Sequence, residues 1–207
     1  MHPRRIAVFG SSTIYGTADT EMGGFVNRLK LWHEANDEKN RVFGLGIWGE
    51  RTPELLERIV PEARTRKPHL LLIYPGYNDC HRRDAPDGPI ATSPEVFADL
   101  MRELLTKAQS VAPAVVMTAY PFDESRTRPY RYTNAYYCLD DARRYMAILV
   151  EVAESLGVKV LDFFGMFRET DMTPLLSSDG LHGNAACHQR LFELTKRFLV
   201  DECGARG

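Results

Sequence analysis

No stretch of about 18 consecutive apolar residues occurs in the 207-residue chain, so nothing in it is built to cross a bilayer as a helix. The apolar run after Arg5 is too short for a secretory signal core and passes directly into a strand-like segment, which points to a cytoplasmic protein. Cysteine is scarce. Cys80, Cys138, Cys187 and Cys203 stand far apart, form no CxxC pair and fit no disulfide framework, as expected of reduced thiols in a cytosol. An excess of either charge is also missing: 26 basic and 28 acidic residues leave a formal net charge of -2. No global field therefore recruits nucleic acid or an anionic membrane, and the expected partner is a small molecule. Neither a GxSxG nucleophile elbow nor the Gly-Lys-Ser/Thr of a P-loop is present, which excludes the larger serine-hydrolase pattern and a phosphate cradle in the first loop.

What is present suits an ordinary soluble globular protein, with 44% hydrophobic and 26% charged residues. The length suffices for a sizeable core but is short for two, so one domain over residues 1–207 is expected. Short apolar runs at 6–9, 42–45, 69–74, 114–118 and 158–163 read as strands. Amphipathic stretches at 24–35, from 52, at 94–109, from about 138 to 156, and at 185–200 read as helices. Thr52 with Pro53, and Ser93, mark two helix starts, while Gly157 suits a helix end. Five strands alternating with five helices predict an α/β fold: a five-stranded, doubly wound parallel sheet between helical layers, flavodoxin-like in type. Such sheets bind ligands in the crevice at the carboxyl ends of their strands.

Four loops that belong at that end are rich in glycine or polar residues: GSSTIYG from Gly10, GLGIWGERT from Gly44, PGYND from Pro75 and DGLHGN from Asp179. Taken alone, Ser12 just past a strand is a cap or turn former. Its meaning changes with His182, because Asp179 precedes that histidine by three residues, close enough in a turn for a carboxylate to reach imidazole Nδ1. A serine hydroxyl is barely ionised at neutral pH and needs such a base, and the base needs a partner to fix its tautomer. Asn78 is either a turn residue or a donor to a developing oxyanion. Gly49 is either a turn glycine or a backbone N–H brought close to the same point.

These residues carry a resemblance to the GDSL-type, or SGNH, hydrolases. Gly10, Ser11, Ser12 and Gly16 resemble the family's first block, and Gly49 in IWGERT its second, with Gly46 the alternative register. Gly76, Tyr77, Asn78 and Asp79 reproduce Gly-x-Asn-Asp, and Asp179, Gly180, Leu181 and His182 reproduce Asp-Gly-x-His. The resemblance spans nearly the whole chain and implies the three-layer α/β/α sandwich of that family. It implies Ser12 as nucleophile, His182 as general base and Asp179 as its orienting carboxylate, with an oxyanion hole from the Ser12 and Gly49 amides and the Asn78 side chain. Ser11 stands where the family carries Asp, which removes a carboxylate from the nucleophile loop. Gly183 stands where Pro is frequent, and Cys187 where Gly is.

Other signals are weaker. Gly44, Gly46 and Gly49 match GxGxxG, but no ribose-binding acid ends the next strand. Cys80 with His81 and Cys187 with His188 lack recognised zinc spacing, so no metal and no organic cofactor are expected. Arg51 either faces the pocket, where it would hold an anionic substrate group, or forms a surface ion pair. Trp48 either lines the pocket or packs. The segment 120–137, with Arg126, Arg128, Arg131 and five tyrosines, forms either a substrate-shaping wall or a subunit interface, and a homodimer is the default assembly. The sequence thus predicts a serine esterase acting on short-to-medium acyl esters. An acyltransferase or sugar deacetylase on the same residues, and a binding protein on an inactive scaffold, are the alternatives.

Overall fold

Residues 2–205 are described by a computed structural model. Five parallel strands form its main sheet: β1 (Arg5–Gly10), β2 (Arg41–Gly46), β3 (Leu70–Tyr74), β5 (Ala114–Met117) and β7 (Lys159–Leu161). Their order is β2-β1-β3-β5-β7, so the winding reverses between β1 and β3. Helices α2 (Phe25–Asn36) and α7 (Ala185–Cys203) pack together as one layer, and α3 (Thr52–Arg66), α4 (Pro94–Gln109) and α5 (Leu139–Ser155) form the other. This is the expected three-layer α/β/α arrangement. The central strands Ile6–Phe9 of β1 and the whole of β3 are buried, as continuous apolar runs covered on both faces must be.

The differences from the sequence reading lie at element ends. Strand β7 stops at Leu161, because the Asp162 carboxylate accepts the Gly165 N–H at 3.0 Å and turns the chain into a one-turn helix, α6 (Phe163–Met166). A second short helix, α1 (Ser12–Tyr15), follows β1, and α7 continues past residue 200 to Cys203. Ser93 caps α4 as expected, accepting Val96 N–H at 3.3 Å. Thr52 does not cap α3. Arg51 holds that position, and Thr52 sits buried in the first turn, giving its N–H (2.9 Å) and hydroxyl (2.8 Å) to Oδ2 of Asp79. A carboxylate from the loop after β3 therefore does the work usually done by a local cap.

The stretch 120–137 is less irregular than its composition suggests. It contains a 3₁₀ turn at Glu124–Arg126 and the two-residue strand β6 (Ala135–Tyr136), which pairs antiparallel with β4 (Arg82–Arg83) from the loop after β3. Arg82 clamps Asp141 near the start of α5 with bonds of 2.6 and 2.8 Å. Both connections leave carboxyl ends of sheet strands, so this ribbon belongs to the end of the sheet where the four predicted loops meet.

Asp79 is 1% exposed and also accepts the Thr92 hydroxyl at 2.8 Å, so it ties the β3 loop to the starts of α3 and α4. Replacing it leaves three buried donors without an acceptor. Asp79→Ala is expected to lower the free energy of unfolding by about 3 kcal/mol, read from urea denaturation, and an unchanged midpoint would contradict this role for Asp79.

Candidate active site

Ser12, Asp179 and His182 come from opposite ends of the chain and meet at the switch point between β1 and β3. The Ser12 hydroxyl donates to Nε2 of His182 at 2.8 Å, and Nδ1 of His182 donates to Oδ2 of Asp179 at 2.7 Å. Nδ1 faces a carboxylate and so carries the proton in the neutral ring, leaving Nε2 free to accept from serine.

Local backbone geometry explains the three-residue spacing. Oδ1 of Asp179 accepts the N–H groups of Leu181 and His182, both at 2.9 Å, and the Ser177 hydroxyl at 2.7 Å. The carboxylate thereby builds the turn that presents its own histidine. The Ser177 N–H closes this turn on the His182 carbonyl at 2.7 Å, while the Gly183 N–H donates to the Tyr120 hydroxyl at 2.7 Å. Burial would push the Asp179 carboxyl up, but the bonds from His182 and Ser177 hold it well below the usual carboxylate range. It is ionised throughout the neutral range.

Ser12 opens α1 straight after the end of β1, and close approach of other loops shapes its turn. A side chain at Gly46 would meet the Tyr15 nitrogen at 2.2 Å, so only glycine lets β2 end against this short helix. Gly76 has φ +80°, and a Cβ there would lie 2.8 Å from the Ser11 hydroxyl oxygen. The buried Ser11 thus packs against the Gly-x-Asn-Asp turn.

Asn78 lines a cavity of about 20 Å³ together with Ser12, His182, Gly76, Leu181 and Tyr120. Its Nδ2 donates to the Glu50 carbonyl at 2.8 Å, which leaves one amide hydrogen uncommitted, and the Tyr137 hydroxyl approaches its Oδ1 at 3.5 Å. Gly49 lies one residue from that contact, exposed and with φ +71°, and is not among the residues lining the cavity. The second loop is anchored from below. Arg58 on α3 grips the Glu50 carboxylate with two bonds and gives Nη2 to the Leu45 carbonyl at 2.8 Å.

Arg51 pairs with Glu54 at 2.6 Å across the first turn of α3 and does not line this cavity, so its contacts are those of the surface ion pair. The reason is local: Glu54 also accepts the Arg51 backbone N–H at 3.0 Å, which holds both residues at the helix start. Trp48 is 60% exposed and lies over His182, the two rings stacked at 6.0 Å and 19°, with Tyr15 edge-on to the indole at 6.4 Å. The cysteine and histidine neighbours have structural partners. Cys80 donates to the Tyr77 carbonyl, His81 bonds the Asn78 carbonyl at 2.9 Å, and His188 bridges the Phe25 N–H and the Thr17 carbonyl. Cys187 is buried, and burial pushes its thiol up to about 12.

Sequence reasoning missed Tyr120, Tyr130, Tyr137, Ser177 and the Thr52–Asp79 link. The density of tyrosines in the insert pointed to the first three, and nothing local pointed to Ser177 or the Thr52–Asp79 link. Tyr130, from the middle of that insert, donates to Asp179 at 3.1 Å.

Residues 8–190 match the model of the GDSL-like lipase/acylhydrolase family. The chain belongs to that family. It is a carboxylic ester hydrolase by this membership, and the resemblance carried by its four blocks holds. It is 26% identical to the GDSL esterase/lipase CPRD49 of Arabidopsis thaliana over 193 residues, covering 87% of this chain and 73% of that protein. Among solved structures it resembles a lipase/acylhydrolase from Enterococcus faecalis, with TM-score 0.76, 23% identity and 95% of each chain covered. It also resembles Axe2, an acetylxylan esterase from Geobacillus stearothermophilus, with TM-score 0.76 and 20% identity over 99% of this chain and 97% of that one. At these identities the two structures show a shared fold.

Asp179 sets a pH signature for this GDSL hydrolase. Its folded-state pKa is depressed, so its contribution to stability is complete above the unfolded value of about 4 and is lost as pH falls through the folded value. The stability advantage of wild type over Asp179→Asn should be full above about pH 4 and shrink at lower pH, as followed by denaturation between pH 7 and pH 2. A constant difference across that range would show that the carboxylate is not held as described.

Proposed function

We propose that this GDSL hydrolase is a serine esterase that cleaves short-acyl esters through an acyl-enzyme, with Ser12, His182 and Asp179 as its triad. The observation that carries this reading is the unbroken hydrogen-bond chain from the Ser12 hydroxyl through His182 to an ionised, buried Asp179. The Ser12 oxygen attacks the ester carbonyl while Nε2 of His182 takes its proton, and Asp179 stabilises the imidazolium that forms. Negative charge moves onto the carbonyl oxygen, where the free Asn78 amide hydrogen and the N–H groups of Ser12 and Gly49 would receive it. Collapse expels the alcohol, protonated by His182. Water then enters by the same base, the acyl–serine bond breaks, and the acid leaves.

Cavity size favours the short end of the acyl range. About 20 Å³ beside Ser12 holds little more than one water-sized group, and its deep side is closed by Tyr74, Tyr77 and Tyr120, all buried. An acetyl methyl fits that space. The exposed Trp48 beside the base favours a second reading, deacetylation of a sugar, since a flat indole face can carry a pyranose ring. Acetylxylan esterases share the fold, which is compatible with such a substrate. The buried, unpaired thiols of Cys80, Cys138 and Cys187 suit a reducing compartment such as the cytoplasm.

Two measurements test these readings. With p-nitrophenyl esters, kcat/KM should be highest for acetate and fall at least about tenfold by octanoate, and Ser12→Ala should lose about 10⁴-fold or more. A flat profile would reject the small acyl site, and activity surviving in Ser12→Ala would reject the serine mechanism. Removing the indole separates the acyl from the alcohol side: Trp48→Ala should raise KM for an acetylated xylo-oligosaccharide about fivefold to tenfold and change p-nitrophenyl acetate turnover little. Equal effects on both substrates would sink the sugar platform.

A further inference from the structure

The segment between β5 and α5 brings a phenol into contact with the triad. Tyr130 is buried, and its hydroxyl donates to Oδ2 of Asp179 at 3.1 Å while standing 3.5 Å from Nδ1 of His182. The same oxygen receives the imidazole at 2.7 Å. The other donors to Asp179, from Ser177, Leu181 and His182 backbone, all reach Oδ1. Oδ2 is therefore shared between the imidazole and the phenol.

Tyr130 is fixed on several sides. Its N–H donates to the Ala135 carbonyl at 2.7 Å, and its ring meets Tyr137 at 5.7 Å, Tyr132 at 5.5 Å and His182 at 6.3 Å, all close to edge-on. A buried phenol needs an acceptor, and Asp179 is the carboxylate within its reach. Burial first, and the Asp179 charge second, push the Tyr130 hydroxyl above its ordinary range, so it stays a proton donor at any working pH.

We propose that Tyr130 is a positioning residue that locks Oδ2 of Asp179 and tempers the charge felt by His182, so that it sets the strength of the general base. The inference rests on the serine-esterase reading. A second donor on Oδ2 draws off part of the carboxylate's charge, so an imidazolium beside it is less stabilised than beside a bare carboxylate. It also fixes the plane of the carboxylate, and with it the direction of Nε2 toward Ser12. Removing the hydroxyl should strengthen the base and loosen its aim. The other groups around this pair are Ser12 on Nε2, Trp48 on the ring face, Tyr137 near Asp179, Arg126 against Gly180 with its Nη1 on the Ser177 carbonyl, and His188, which burial keeps toward its neutral form.

The test is Tyr130→Phe, which keeps the ring and removes one oxygen. The imidazole Cε1–H resonance of His182, assigned with a His182→Gln variant, should titrate at higher pH than in wild type. The acid limb of kcat/KM for p-nitrophenyl acetate should move the same way, kcat should fall about threefold to tenfold, and KM should hold within about twofold. Superimposable titrations of His182 in the two proteins would overturn the proposal. So would an equal shift in Tyr132→Phe, since that residue is 63% exposed and its hydroxyl meets Arg131, away from Asp179, so such a shift would report a general disturbance of the segment. Should Tyr130→Phe fail to fold, the Tyr130 ring carbon resonances in wild type must respond at the His182 midpoint, and flat resonances would equally overturn it. Wild type without ester turnover would sink the esterase reading, while the His182 titration would still decide what Tyr130 does to the imidazole.

Discussion

A carboxylate cut off from water has to be met by donors, and at this site that requirement organises the chain around it. Asp179 is 5% exposed and receives five hydrogen bonds, three on Oδ1 and two on Oδ2. Satisfying it forms the turn that carries His182, fixes the imidazole tautomer and draws in a tyrosine from a segment some 50 residues away. The histidine can then present Nε2 to Ser12 because no freedom remains in the groups behind it.

The same device recurs at the other three loops, each with its own buried acid. Asp19 holds the end of the nucleophile loop through the N–H groups of Glu21, Met22 and Gly24 and through Arg28. Burial would raise its pKa, yet Arg28 and those amides bring it down to about 2. Glu50 holds the second loop through Arg58, and Asp79 the third through Thr52 and Thr92. For these last two acids burial prevails, and the carboxyls are pushed above their ordinary range. Buried charges add little net stability, because desolvation offsets the attraction between partners. Their effect here is geometric: four loops that begin on separate strands are held in one arrangement. The missing family Asp at Ser11 fits this picture, since Ser11 lies buried against Gly76 and the loop it opens is already pinned by Asp19.

Fold and chemistry divide between the two ends of the sheet strands. The strands supply a largely apolar frame, and reversal of the winding between β1 and β3 opens the crevice where Ser12 and Asn78 emerge. Below that crevice three buried tyrosines, Tyr74, Tyr77 and Tyr120, limit depth, and above it Trp48 offers an exposed face. The proposed small acyl side and open alcohol side rest on this placement.

Much of this was legible from residue order. Apolar periodicity located the five strands of the sheet to within a few residues, and the blocks containing Ser12, Asn78 and His182 carried the family. Those features are local: strand length, turn residues, and a three-residue spacing between acid and base. The departures that shape the site are mostly long-range. Thr52 has the composition of a cap, but Asp79, 27 positions on, takes both its donors. Arg51 was poised between pocket and surface, and Glu54 holds it. Tyr130 was one tyrosine among five until the fold set it against Asp179, 49 positions away. By itself the sequence determined the elements, the order of the loops and the family, because each is written in neighbouring residues. Only the tertiary structure decided which acid pins which loop, how little space lies beside Ser12 and which hydroxyl shares the carboxylate with the base. Those outcomes depend on where distant segments come to rest around buried charge, and no local pattern encodes that.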